Sequence, residues 1–291
     1  MENWLIGTDY EFGISKNGEP ISIVGKIGGT KNEPLDIGNG CARQEDNVNA
    51  EVTQPPVNNF KDFVKYIEYG LTTIKSMVPS HDLNFNSLEI YSDEELNTYE
   101  AQVFGCESSF DVYARGLSKP AVATNPNLRS AGFHIHFGND KIANNNQEME
   151  KLVKLFDKYV TIPSMLIDPE KGRRELYGRA GEFRMKSYGL ECRQLGSFFL
   201  SDFRLIEWVW EGVQKCITQY ELGEDLNLDS NLLQADLNLD SMFNRNDIND
   251  SCIAEDIING YDLQAAKEFC DANNINYLKK EICKELMSMV A

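Results

Sequence analysis

The chain has 291 residues, a formal net charge of −18, 42% hydrophobic residues and 25% charged residues. That composition is globular, with material for one large domain or two modest ones. Its acidity excludes a broad nucleic-acid or anionic-membrane surface, because phosphates would be repelled.

Residues 4–14 send Ile6, Thr8, Tyr10, Phe12 and Ile14 to one side and Gly7, Asp9, Glu11 and Gly13 to the other. That is the period-two pattern of a strand. The Gly/Asn-rich region 25–47 reads as turns and loop. A short strand at 48–53 follows and ends at Pro55 and Pro56, and 59–78 has the three- and four-residue apolar steps of an amphipathic helix. From 86 to 130 the reading is loop-rich. Phe133, Ile135 and Phe137 alternate with His134 and His136 in another strand.

A helix is expected over about 147–160, interrupted by Pro163. Strands are expected at 181–186 and 189–196, and an aromatic-rich helix at 203–221. Residues 223–251 form an acidic insert in which LNLDS occurs at 226–230 and again at 237–241. Its aspartate spacing echoes a calcium loop but lacks the turn glycine and the bidentate Glu, so it reads as a solvated loop. Helical segments are expected near 252–272 and 275–290. No stretch approaches the roughly 20 apolar residues of a membrane helix, and the N-terminus lacks a basic n-region. Seven scattered cysteines without a CxxC pair fit a reducing cytosol.

Half of the ten arginines fall within one stretch of 21 residues, at Arg173, Arg174, Arg179, Arg184 and Arg193. Arginine's fixed fork of donors suits phosphate and carboxylate oxygens. The stretch therefore reads as a folded anion site for nucleotide phosphates, with Lys186 among its cations. An ion-pair surface with Glu175, Glu182 and Glu191 is the plainer alternative.

The candidate strands share one property: a charged or metal-competent face opposite an apolar one. Asp9 and Glu11 project together, as do Asn49, Glu51 and Thr53, His134 and His136, Glu191 and Arg193, and Arg184 and Lys186. If these strands are neighbours, they line one cavity able to hold divalent metal through acids and phosphate through guanidiniums. No GxxxxGK[ST] or GxSxG occurs, and no cysteine adjoins a histidine, so a P-loop and the common Ser or Cys nucleophiles are excluded. Two alternatives stay open. One is a metal-dependent hydrolase or oxygenase built on His134, His136 and a carboxylate; the other is a non-catalytic nucleotide-binding protein.

The motifs GTDYEF, EDNVNAEVTQPP, AGFHIHFG and RRELYGRAGEFRMKSYGLECRQL, in that order, resemble the phage-type carboxylate–amine ligases, or amidoligases. These are distant members of the superfamily of glutamine synthetase and glutamate–cysteine ligase. The resemblance covers about residues 4–215. It implies an α+β fold in which an antiparallel sheet curves into a glutamine synthetase-like half-barrel, with helices on its outer face. On that reading 1–222 is the catalytic domain, 223–251 the acidic insert and 252–291 a C-terminal helical segment packed on the same domain.

The resemblance implies ATP and two or three Mg²⁺ or Mn²⁺ ions as cofactors. Glu11, Glu51 and Glu191, with Asp46 or Glu45 from an adjoining loop, look like metal-binding carboxylates, and His134 like a metal- or phosphate-contacting histidine. Arg184 and Arg193, more weakly Arg179, and Lys186 look like the nucleotide-binding cations. Asp9 or Glu51 would handle the amine proton, and Arg193 would steady the transferring phosphoryl. The expected substrates are a small-molecule or peptide carboxylate and an amine, in the cytoplasm (the host's, for a phage protein). Oligomeric state stays open.

Overall fold

The computed structural model describes residues 3–102, 109–118, 125–168, 170, 172–224 and 263–273. The acidic insert beyond residue 224 and the helix expected at 275–290 lie outside the described residues. Strands β1 (Leu5–Lys16), β2 (Glu19–Ile21), β3 (Leu35–Gly38), β4 (Cys41–Asp46) and β5 (Asn49–Thr53) come first, followed by helix α1 (Phe60–Met77) and β6 (Asp82–Asn84). The middle of the chain holds β7 (Leu88–Ile90), α2 (Tyr99–Gln102), β8 (Phe110–Asp111), β9 (Gly116–Leu117), β10 (Leu128–Ser130) and β11 (Gly132–Gly138). Then come α3 (Asn146–Phe156), α4 (Ile162–Ile167), α5 (Arg173–Leu176), β12 (Glu182–Lys186), β13 (Gly189–Gly196), α6 (Phe203–Glu221) and α7 (Leu263–Asn273).

The fold is mixed α+β. Among the described residues eleven strands form one antiparallel sheet, ordered β3-β4-β5-β1-β11-β13-β12-β8-β9, with β2 and β6 paired to the far part of β1. Among the described residues the path ends at β3 and β9 without closing. Strands β7 and β10 make a separate pair.

The apolar face of the central strands is the core. Ile6, Tyr10, Phe12, Phe133, Ile135 and Phe137 are buried with residues of α1, α3 and α6 in one cluster. Phe63 of α1 lies 6.4 Å from Phe133, Phe156 of α3 lies 5.8 Å from Phe137, and the Tyr10 hydroxyl donates to the Ile67 carbonyl. Gly70 sits where α1 meets the sheet: a Cβ there would lie 2.1 Å from the Tyr10 hydroxyl. Helices thus cover one face of the sheet, and the other carries the charged residues. α7 packs against α4, and its Phe269 ring lies 6.2 Å from Trp208. Among the described residues no helix is long and apolar enough to cross a membrane.

Two local expectations are corrected. The region 25–47 is not all loop, because β3 and β4 form a hairpin within it. Its turn is Asn39-Gly40, both with positive φ (55° and 76°), the geometry of a tight hairpin turn. Pro163 does not end the helix that precedes it. The chain passes through a π-helical turn at Asp157–Thr161, and Pro163 then falls in the first turn of α4.

Candidate functional site

Strand register brings distant charges side by side. Glu11 of β1 lies opposite Glu51 of β5, which lies opposite Gln44 of β4. One step along, Asp9 lies opposite His134 of β11. A further step sets Gly7, His136, Glu191 and Arg184 in one row across four strands. A bulge between β11 and β13 places two residues, Arg193 and Gln194, against the single His134. Arg193 then faces the acids while the Gln194 amide turns to the Glu182 carbonyl at 2.7 Å. Bulges of this kind re-aim side chains beside functional sites.

Two groups of metal-competent atoms result. In the first, Glu11, Asp46 and Glu51 each offer an oxygen, all within 4.8 Å of one another. Burial pushes the Glu11 and Glu51 carboxyls above the usual range, and neighbouring acids push both further: Asp46 acts on Glu11, and Asp9, Glu11 and Asp46 act on Glu51. The Gly132 N–H donates to Glu11 at 2.7 Å and the Gln44 amide to Glu51 at 2.6 Å, fixing both carboxylates. Three hard oxygen donors repelling one another in a buried place suit a divalent cation such as Mg²⁺ or Mn²⁺.

The second group, Asp9, His136 and Glu191, is held together differently. Asp9 Oδ1 is 2.8 Å from His134 Nδ1 and 3.1 Å from His136 Nε2. Burial alone would raise the Asp9 carboxyl, but the two histidines hold it well below its usual value. Glu191 faces Lys186 at 2.7 Å, Arg193 at 3.2 Å and Arg184 at 3.5 Å. Burial opposes its ionisation, yet His134, His136 and Lys186 bring its carboxyl below the usual range. This group already carries its compensating cations, and it is the first group whose charge calls for a metal.

The arginine-rich stretch divides by role. Arg184, Lys186 and Arg193 gather around Glu191. Arg173 is buried and spends its fork on backbone carbonyls: Nε on Ala131 at 3.2 Å, Nη1 on Gln194 at 2.9 Å and Nη2 on Arg193 at 3.2 Å. Gly178 leaves it room, since a Cβ there would lie 2.1 Å from Arg173 Nη1. Arg179 stands beside Glu182, whose carboxylate accepts its backbone N–H at 3.3 Å. Glu45 and Asp46, expected in a loop, lie on β4. Asp46 joins the carboxylates, whereas Glu45 accepts the backbone N–H groups of Gly25, Ile27 and Gly28 at 2.6–2.9 Å.

A chamber beside the first group is lined by Glu11, Asp46, His134 and Arg193, and also by Arg129 and Arg173. Sequence reasoning gave Arg129 no part. It is buried, donating to Asn47 Oδ1 and to the carbonyls of Ala101 and Pro126. Nothing in its surrounding sequence, Asn127-Leu128-Arg129-Ser130, signals that position.

The fold and the groove define an α+β protein whose polar face sets a carboxylate cluster next to a guanidinium cluster. Residues 123–224 match the family model described as Phage phiEco32-like COOH.NH2 ligase-type 2. The match supports the phage-type amidoligase family, and with it a ligase enzyme acting on a carboxylate and an amine. No curated protein matches the chain.

Proposed function

We propose that the protein is an ATP-dependent carboxylate–amine ligase working through an acyl phosphate. The observation that carries this reading is the juxtaposition, on one face of one sheet, of the Glu11–Asp46–Glu51 cluster with Arg184, Lys186 and Arg193 around Glu191. In such a reaction a substrate carboxylate oxygen attacks the γ-phosphorus of ATP and ADP leaves. The amine then attacks the acyl carbon, expelling phosphate. No protein nucleophile is required, which agrees with the lack of a Ser/His or Cys/His arrangement in the sequence.

Mg²⁺ or Mn²⁺ bound by Glu11, Asp46 and Glu51 would supply charge neutralisation for the phosphates. The guanidiniums of Arg184 and Arg193 bind the phosphoryl oxygens in pairs, with Lys186 as a point charge and Arg179 at the edge. His134, fixed by Asp9, meets the same anion. Either Asp9 or Glu51 takes the amine proton. Asp9, held ionised by its two histidines, is ready to accept a hydrogen bond from an ammonium group, while Glu51, raised by burial and then by its acidic neighbours, is the more basic.

Residues 1–222 form the catalytic unit on this reading, of the glutamine synthetase-like type, and 223–251 form an acidic insert that biases the site toward cationic amines. The setting is the cytoplasm. The hydrolase or oxygenase alternative has a geometric counterpart in Asp9, His136 and Glu191, but it leaves the guanidiniums without a task. The test is phosphate release from ATP, with Mg²⁺ and with EDTA, across a panel of amino acids and polyamines. Release that needs both metal and an amine–carboxylate pair supports the ligase. Hydrolysis of esters or amides without ATP contradicts it.

A further inference from the structure

One side chain of the arginine-rich stretch reaches toward both charge clusters without joining either. Arg173 stands on the one-turn helix α5 and is only 3% exposed. The carbonyls its fork binds, those of Ala131, Gln194 and Arg193, lie at two junctions that aim site residues.

The first junction is the peptide joining Ala131 to Gly132. Its carbonyl accepts Arg173 Nε at 3.2 Å and the Ser197 N–H at 3.1 Å, and its N–H donates to Glu11 Oε2 at 2.7 Å. A peptide group is planar and trans, so its C=O and N–H point in opposite directions and turn as one unit. Donors on the carbonyl therefore hold the N–H on Glu11, and they polarise that bond as well. The second junction is the bulge on β13, where Arg193 and Gln194 together oppose His134 and the ladder is disrupted. Nη1 and Nη2 of Arg173 bind both bulge carbonyls. The Arg193 side chain is thereby presented to Glu191 Oε1, 3.2 Å from its Nε, and to the Ser109 hydroxyl, 3.3 Å from its Nη1.

Glycines clear the path of the guanidinium. Gly132 and Gly196 face each other across β11 and β13, and both lie outside the positive-φ region. Crowding is what keeps them glycine. A Cβ at Gly132 would stand 2.4 Å from His134 Nε2 and 3.1 Å from Arg173 Nη2, and one at Gly196 would stand 2.1 Å from Ser87 Oγ and 3.2 Å from Arg173 Cδ. At Gly178 the nearest atom to such a Cβ is Arg173 Nη1 itself. The space fits a flat fork with spread donors, which a lysine ammonium, a point charge, does not reproduce.

We propose that Arg173 is a positioning residue: one buried guanidinium sets the aim of a metal-binding carboxylate, Glu11, and of a phosphate-binding guanidinium, Arg193, and so fixes the spacing of the two clusters. The proposal rests on the ligase reading for what Glu11 and Arg193 hold, and it adds the group that keeps them in register. Arg173→Lys tests it in the full chain, with Mn²⁺ alone titrated by electron paramagnetic resonance and ATP in Mg²⁺ titrated by calorimetry. Loss of the group that orients a ligand carboxylate should weaken Mn²⁺ binding about tenfold, and ATP binding should fall too as Arg193 loses its fixed aim. Arg193→Lys should lower ATP affinity and spare Mn²⁺ affinity. Combining the two changes should lower ATP affinity by less than the product of the single losses, because one acts through the other. Gly178→Ala keeps the arginine but displaces its Nη1, so it should show both losses at smaller size, and it carries the test if the lysine variant does not fold.

A folded lysine variant with wild-type affinity for Mn²⁺ and ATP, or with only one of them weakened, would overturn the proposal. So would a raised KM for the carboxylate or amine at unchanged Mn²⁺ and ATP affinity, which would make Arg173 a substrate contact. Wild-type protein that binds Mn²⁺ but not ATP would remove the ligase reading, together with the part of the proposal that concerns Arg193. The Mn²⁺ titration would still decide whether Arg173 governs Glu11.

Discussion

Asp157 opens the π-helical turn behind the sheet and is fully buried. Its Oδ2 accepts the Tyr113 hydroxyl at 2.9 Å and the Gly181 N–H at 2.7 Å, anchoring the loop that leads into β12. Burial pushes its carboxyl from 3.8 up to about 7, against the opposing bonds it accepts from Tyr113 and Gly181. The folded value lies above the unfolded one, so the folded state disfavours the charge. Stability is fully present below the unfolded value and is lost as pH rises toward 7. The difference of about 3 units corresponds to roughly 4 kcal/mol lost by pH 8. Asp157→Asn removes the charge and keeps an acceptor, and its new amide can donate to Thr161. The variant should therefore exceed the wild type in stability by roughly 4 kcal/mol at pH 8, narrowing to about 2 kcal/mol at pH 5. Urea unfolding of both proteins at the two pH values measures this, and the difference cancels every other titrating group. A stability gap independent of pH, or a variant less stable at pH 8, would refute the reasoning.

Three further outcomes follow from the same geometry. Glu51→Gln should lower turnover roughly 100-fold or more, yet raise the melting temperature in EDTA, because it removes one of three mutually repelling acids; a lower melting temperature would contradict the repulsion. Arg184→Lys and Arg193→Lys keep charge but lose the bidentate fork, so ATP affinity should fall about tenfold in each, and wild-type kinetics in both would make these side chains structural. Arg173→Met removes the guanidinium donors to the Gln194 and Arg193 carbonyls, while the Ala131 carbonyl keeps the Ser197 N–H, and should cost about 2 kcal/mol in urea unfolding, whereas no measurable loss would show that water or neighbours replace its bonds.

The strands carrying the site were legible because each keeps a strict apolar face. Ile6, Tyr10 and Phe12, or Phe133, Ile135 and Phe137, declare the core side, and register then forces Glu11 toward Glu51 and His136 toward Glu191. The β3–β4 hairpin was missed although Asn39-Gly40 is a strong turn signal, since its strands carry few apolar residues to mark a face. The division of the arginines was beyond sequence. Arg173 meets backbone carbonyls, whereas Arg193 meets the Glu191 carboxylate and the Ser109 hydroxyl. Likewise Glu45 and Asp46 are adjacent acids in one strand, and the side each faces depends on a register that sequence spacing left open.

The acyl-phosphate route is tested most directly by isotope transfer. The carboxylate substrate found by the panel is labelled with ¹⁸O in its carboxyl group and incubated with the amine, ATP and Mg²⁺, and the released phosphate is analysed by mass spectrometry. The account predicts one ¹⁸O atom in phosphate for each amide formed, with ADP as the other product. Phosphate without label, or AMP and pyrophosphate in place of ADP, would contradict it.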